Sequence, residues 1–288
     1  MSLDASISPG DALARARSFL FVPGNRPERF AKALASGADA VVLDLEDSVP
    51  ASAKPAARDS IRAAWADLCA AGVPLVVRIN AADSAWASDD LEWLARLERP
   101  AGVMLPKAES AAALDRVRAA LPDVALLPLI ESAAGHAALP AIAGAANVAR
   151  LVIGHIDFMA DIGLQCSAGE PELAPLRFAV AVATRLHRLA PAVDGVTVDL
   201  DDEVRLREDT QRALRFGFGA KLCIHPRQVA IVHDAIAPSA DEIAWARRVI
   251  AADAAAGGAA VQLDGRMVDL PVVLQARRTL ARARVSEV

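Results

Sequence analysis

Several things are scarce in this chain of 288 residues, and each scarcity narrows what it can be. Only three cysteines are present. Cys69, Cys166 and Cys223 lie far apart and form no CxxC pair, so neither a disulfide framework nor a thiolate metal cage is expected. Core packing in a reducing cytoplasm is the expectation for all three. No apolar run is long enough to span a bilayer, although 54% of the residues are hydrophobic. Basic residues are scattered, and the net charge is −5. A phosphate-backbone binder needs a concentrated positive face, so no nucleic acid partner is expected. The opening residues, MSLDASISPGDALAR, lack a basic region followed by an apolar one, so no secretory signal is expected and residues 1–16 read as a flexible arm. No GxGxxG follows the first apolar run, and no HxxxH or HExxH spacing occurs.

What is present is regular alternation. Apolar segments SFLFVPG (18–24), ADAVVLDLED (38–47), PLVVRIN (74–80), GVMLPK (102–107), VALLPLIE (124–131), VARLVIGHIDF (148–158), AVDGVTVDL (192–200) and AKLCIHP (220–226) read as strands, separated by helical stretches. Eight strand-then-helix units make an α/β fold, a (β/α)8 TIM barrel over 17–256, with an open doubly wound sheet as the alternative. Gly257 and Gly258 set off a tail, 257–288, with a short hairpin about LDGRMVDL and a last amphipathic helix. It reads as a helical extension to the barrel.

A barrel places its chemistry where strands finish. The strand ends carry Asp44, Glu46 and Asp47; Arg78 and Asn80; Lys107; Glu131; His155 and Asp157; Asp199; and His225. The strand starts are almost purely apolar. Glu131 closes a continuous apolar run, and either caps the next helix or faces the barrel mouth. Clustered carboxylates repel unless protonated or bridged by a cation. Hard oxygen donors without thiolates favour Mg²⁺, with Mn²⁺ as the alternative ion, and Glu131 with Asp157 is the most economical pair. Zinc through His155 and Asp157 lacks supporting spacing. Arg78 either pairs with Glu46 or Asp47, or clamps a substrate carboxylate. His225 before Pro226 either caps a loop or acts in catalysis. A Schiff base at Lys107 is disfavoured, because nearby carboxylates keep the amine protonated.

These segments carry a family likeness. RSFLFVPGNRPERFAKAL, ADAVVLDLEDSVP followed by Lys54 and Ala57–Arg58, VRIN, GVMLPKAES, LLPLIESAAG, GxxDFxxDxG at 154–163, GAKLCIHPRQV and DGRMVDLPVV together resemble the citrate lyase β-subunit-like branch of the HpcH/HpaI aldolase/citrate lyase family over about residues 17–284. The resemblance implies a Mg²⁺-dependent carbon–carbon lyase, trimeric or hexameric, acting on acyl-CoA or acyl-carrier thioesters. It assigns Glu131 and Asp157 to the metal, with Glu46 and Asp47 supporting it through water. Arg78 then holds the carboxylate or keto-acid part of the substrate. Arg26, Arg29 and Lys32 lie near the CoA phosphates. The tail becomes a lid over a neighbouring subunit's site, with Asp269 as acid/base. GHID at 154–157 and VDLDDE after the seventh strand depart from the family pattern, both at substrate-facing positions. The implied substrate is a malyl-CoA or citramalyl-CoA type 3-hydroxyacyl thioester. A thioesterase, or a citrate lyase β subunit acting on a carrier-protein thioester, is the alternative.

Overall fold

In the computed structural model, residues 9–98 and 100–283 are described. The chain divides into two compact units, 1–233 and 234–288.

The first unit opens with α1 (Pro9–Arg15), followed by β1 (Ser18–Pro23), α2 (Phe30–Leu34), β2 (Ala40–Asp44), α3 (Lys54–Ala70) and β3 (Leu75–Arg78). Then come α4 (Ala87–Leu94), β4 (Gly102–Leu105), α5 (Ala111–Ala120), β5 (Ala125–Ile130), α6 (Ala133–Ala137) and α7 (Leu139–Ala143). The series continues with β6 (Val152–Ile153), α8 (His155–Ile162), α9 (Ala174–Leu186), β7 (Val193–Asp194), α10 (Glu203–Arg215), β8 (Ala220–Cys223) and α11 (Pro226–Ile236), within which the division between units falls. All eight strands pair in parallel with their sequence neighbours, and β1 pairs with β8, so the sheet closes into the expected (β/α)8 barrel. Near-continuous runs such as Val41–Leu43 and Leu126–Ile130 are buried throughout, as a sheet covered on both faces requires.

The segment expected as a loose arm is helical over α1, and residues 1–8 of that arm lie outside the described residues. Leu13 is fully buried and joins a core cluster with Phe19, Val42, Val76, Met104 and Leu127. A Cβ on Gly102, at the start of β4, would come within 2.8 Å of Leu13 Cδ1, which places Leu13 at the strand-start end. Arg150, 1% exposed, fixes this plug by donating from Nη1 to the carbonyls of Leu13 (3.1 Å) and Ala16 (2.5 Å). No disulfide pairs the cysteines, and only Cys223 is buried. Cys69 is exposed while its neighbour Leu68 packs inward, since adjacent helical residues point about 100° apart.

Two expected strands are much shorter than the sequence reading. β6 ends at Ile153, because the chain turns at Gly154 and α8 begins at His155. His155 and Asp157 therefore stand on the first turn of a helix rather than on a strand. β7 ends at Asp194, leaving Asp199 on an exposed loop.

The second unit contains α12 (Ala240–Ala255), β9 (Val261–Leu263), β10 (Arg266–Val268) and α13 (Leu270–Arg282). β9 and β10 form the expected antiparallel hairpin around Asp264–Gly265, both at positive φ as a tight two-residue turn demands. The division lies upstream of Gly257 because α12 shares a core with α13: Ala246 and Val249 pack with Val273, Ala276 and Leu280. No helix among the described residues is long and apolar enough to cross a membrane.

Candidate active site

The ends of β2, β3 and β5 and the start of α8 bring acidic side chains around one arginine. Arg78 closes β3 with its guanidinium edge against Asp44, Nε to Oδ1 and Nη2 to Oδ2 both at 2.7 Å. Its third nitrogen, Nη1, lies 2.9 Å from Glu46 Oε2, and the plane stacks over Phe21 at 4.7 Å. The Glu46 contact is an ion pair without hydrogen-bond alignment, since Oε2 accepts no bond. Asp47, expected beside Glu46, is 3.9 Å from Nη1 and largely exposed. Burial alone lowers the pKa of an arginine, but Asp44 more than offsets it and keeps Arg78 firmly protonated. Asp44 is one of the strand-end acids read from the sequence, but it was not among the partners expected there for Arg78. It occupies the bidentate edge that a substrate carboxylate would otherwise use, leaving only Nη1, beside Glu46, outside that fork.

Glu131 follows β5 directly and is 3% exposed. It is not a helix cap: Ser132 caps α6, accepting from the Gly135 N–H at 3.1 Å. Glu131 accepts from the Lys107 N–H at 2.7 Å, and Lys107 reaches that geometry at φ 44. Burial raises the Glu131 pKa to about 8; the Lys107 N–H opposes this, and the charges of Glu46 and Asp157 add to it. Glu46 is raised to about 7, first by burial against the pull of Arg78, then by Asp47 and Asp44. A Cβ on Gly154 would overlap Glu131 Oε2 and stand 2.7 Å from Glu131 Cβ, so only glycine lets the carboxylate lie against the turn entering α8. Asp157, half-buried on that first turn, completes the group.

This donor set fits a magnesium ion. Among the described residues, no group of three or more His, Cys, Asp or Glu side chains forms a closed cage. Magnesium needs fewer: one or two carboxylates, with water and substrate in the other positions. Two acidic pKa values pushed toward neutrality by burial and mutual repulsion mark a place where a cation relieves like charge.

The other strand-end residues have different places. Asn80 is buried and donates to Asp90 Oδ2 at 2.7 Å, and Arg58 holds Asp90 Oδ1, so it braces the helices. Lys107 is exposed and contributes its backbone. His225 Nδ1 accepts from the Arg227 N–H at 3.2 Å, a loop-capping role. Arg26, Arg29 and Lys32 are exposed in the segment after β1, and Arg26 pairs with Glu28 at 2.5 Å. Asp269, in the second unit, caps α13, accepting from the Val272 N–H at 3.4 Å. Sequence reasoning missed Asp194 and Lys221, the charged members of apolar strands β7 and β8, and Glu170 in the loop after α8. A charge inside an apolar strand run was the available signal for the first two.

A family model described as HpcH/HpaI aldolase/citrate lyase matches residues 17–226. A citrate lyase subunit beta-like protein of Mycobacterium tuberculosis is 40% identical over 271 residues, covering 92% of this chain and 94% of the relative. A (3S)-malyl-CoA thioesterase of Cereibacter sphaeroides is 33% identical over 273 residues, covering 93% and 94%. Among solved structures, protein CitE of Mycobacterium tuberculosis, in complex with magnesium, acetoacetate and coenzyme A, superposes with a TM-score of 0.81 at 37% identity, covering 94% of this chain and 99% of that one.

Proposed function

The chain belongs to the HpcH/HpaI aldolase/citrate lyase family, and from that premise we propose that it is a Mg²⁺-dependent carbon–carbon lyase, cleaving a 3-hydroxyacyl-CoA thioester of malyl-CoA or citramalyl-CoA type to acetyl-CoA and a 2-keto acid. The observation that carries this reading is the carboxylate group at Glu131, whose raised pKa reflects burial beside Glu46 and Asp157. A related chain solved with magnesium and coenzyme A supports the choice of ion and thioester.

Glu131 and Asp157 would hold the ion, with Glu46 and Asp47 accepting from its water ligands. When bound, magnesium supplies Lewis-acid polarisation of substrate oxygens. As the carbon–carbon bond breaks, the substrate 3-hydroxyl gives its proton to water and becomes the keto oxygen. Arg78 Nη1 donates to that keto-acid portion, and its fixed positive charge offsets the enolate left on the thioester fragment. Asp44 keeps that guanidinium in place before substrate arrives. Asp269, supplied by the tail of a neighbouring copy in a trimer or hexamer, delivers a proton to the acetyl-thioester enolate; in condensation it removes one. Arg26, Arg29 and Lys32 offer exposed cations to the CoA phosphates.

A hydrolase reading has the (3S)-malyl-CoA thioesterases of several Cereibacter sphaeroides strains behind it. The Ser–His–Asp cluster of this chain does not serve it. Ser18 is fully buried at the start of β1, and both Ser18 (2.8 Å) and Asp39 (3.5 Å) meet the same nitrogen of His233, Nε2. A nucleophilic triad needs the acid and the nucleophile on opposite nitrogens. Hydrolysis here would use a water directed by the carboxylate group. A turnover screen with Mg²⁺ over malyl-, citramalyl-, methylmalyl- and citryl-thioesters, each on CoA and on a carrier protein, tests the proposal. Turnover of a hydroxyacyl-CoA to a 2-keto acid supports it; turnover of citryl-carrier thioesters alone replaces it with the citrate lyase β-subunit role.

A further inference from the structure

We propose that Glu170 is a positioning residue that fixes the turn carrying Asp157; this rests on the reading of Asp157 as a metal ligand. Glu170 stands at φ 52 immediately after Gly169 at φ 83. A left-handed backbone is unfavourable for a residue with a Cβ, and such conformations persist where the surroundings over-determine them. Here three arginines from two helices do so. Arg177 on α9 and Arg212 on α10 each donate from Nη2 to Glu170 Oε2 at 2.8 Å, and Arg205 on α10 donates to Oε1 at 3.1 Å. Arg212 also donates to the Gly169 carbonyl at 2.9 Å.

The Glu170 oxygen that accepts from Arg205 also faces the first turn of α8. His155 Nε2 is 3.8 Å from Oε1, and His155 is the first residue of α8, two before Asp157. Its ring is buried and wedged: a Cβ on Gly195 would overlap Nδ1. Beneath it, Arg177 Nε donates to Asp194 Oδ1 at 3.1 Å, and Lys221 Nζ donates to the Gly195 carbonyl at 2.7 Å. The imidazole is thus held between a glycine that β8 fixes in place and a carboxylate that α9 and α10 fix in place. The buried ring thereby ties the first residue of α8 to both groups. Groups behind metal ligands set ligand orientation, and their loss typically weakens metal affinity by about 10- to 100-fold.

The test is a Mn²⁺ titration of the full chain, following free Mn²⁺ by electron paramagnetic resonance, together with melting temperatures. Glu170→Gln keeps the shape of the side chain and removes its charge. It is expected to weaken Mn²⁺ binding by about tenfold. Arg205→Gln, which leaves Glu170 two arginines, should weaken it by a smaller factor, and decides the matter if Glu170→Gln does not fold. A role in stability alone lowers the melting temperature without changing the affinity of the molecules that remain folded. Affinity unchanged in the folded Glu170 variant, while Asp157→Asn loses binding, overturns the positioning role and leaves the metal assignment standing. Asp157→Asn binding Mn²⁺ as tightly as the parent chain overturns the metal assignment itself, and the positioning role with it.

Discussion

Arg78 and Asp44 meet edge to edge, two parallel bonds of 2.7 Å between neighbouring strand ends, and almost no solvent reaches the Asp44 side. The pair makes the arginine part of the framework. Removing one member of a buried pair leaves the other charge uncompensated, at a cost of about 3–5 kcal/mol. Asp44→Ala should therefore lower unfolding stability by about that amount, read from denaturant melts. Arg78→Lys, which keeps the charge but loses the fork, should lower kcat/KM well beyond its effect on stability.

Gly154 is a site where one methyl group should disable metal binding. Its Cβ would occupy space held by the Glu131 carboxylate. Gly154→Ala should weaken Mg²⁺ affinity as severely as Glu131→Gln, while a Gly163→Ala control at the far end of α8 should show only the cost of its positive φ. Metal titrations of the three variants check this.

Metal affinity should depend on pH in a definite direction. Glu131 keeps its proton in the folded, metal-free chain up to about pH 8, against 4.5 for an ordinary glutamate. The folded state thus binds the extra proton between those values, and metal-free stability falls as pH rises through that window. Bound magnesium displaces the proton, so affinity should rise by up to about tenfold per pH unit below pH 8 and level off above it. Calorimetry in buffers of different ionisation enthalpy measures the proton released; none released at pH 7 contradicts the assignment of Glu131 as ligand.

Asp269 separates proton transfer from metal binding. Asp269→Ala removes the cap of α13 and should destabilise the chain by about 1 kcal/mol. It should leave Mg²⁺ affinity intact and abolish exchange of the acetyl-CoA methyl protons with deuterium oxide. Unchanged exchange would remove Asp269 from the mechanism.

Much of this architecture is legible in the residues. Period and punctuation reveal eight β-then-α units, because strands covered on both faces read as unbroken apolar runs. The apolar run before Glu131 and the position of Arg78 after Val77 place both side chains at the barrel mouth. The reading was less accurate where tertiary contacts override local pattern. VARLVIGHIDF looks like a long strand, yet the chain leaves the sheet at Gly154, where the Glu131 carboxylate lies against the backbone, and α8 begins at His155. α1 lies in a stretch that reads as a flexible arm, and the burial of Leu13 together with the Arg150 contacts accounts for its fixed place. The partners of Arg78 are legible in part: Glu46 and Asp47, the expected pair, lie 2.9 and 3.9 Å from Nη1, while Asp44, the last residue of β2, takes the bidentate edge. Glu170 carries no local signal, since its arginines come from helices 7 to 42 residues away.

The carbon–carbon lyase assignment is tested most directly by the products of a single incubation. The chain with Mg²⁺ and malyl-CoA or citramalyl-CoA, resolved by chromatography and mass spectrometry, should yield acetyl-CoA with glyoxylate or pyruvate in equal amounts. Free CoA together with malate or citramalate, and no acetyl-CoA, would contradict it and identify a thioesterase.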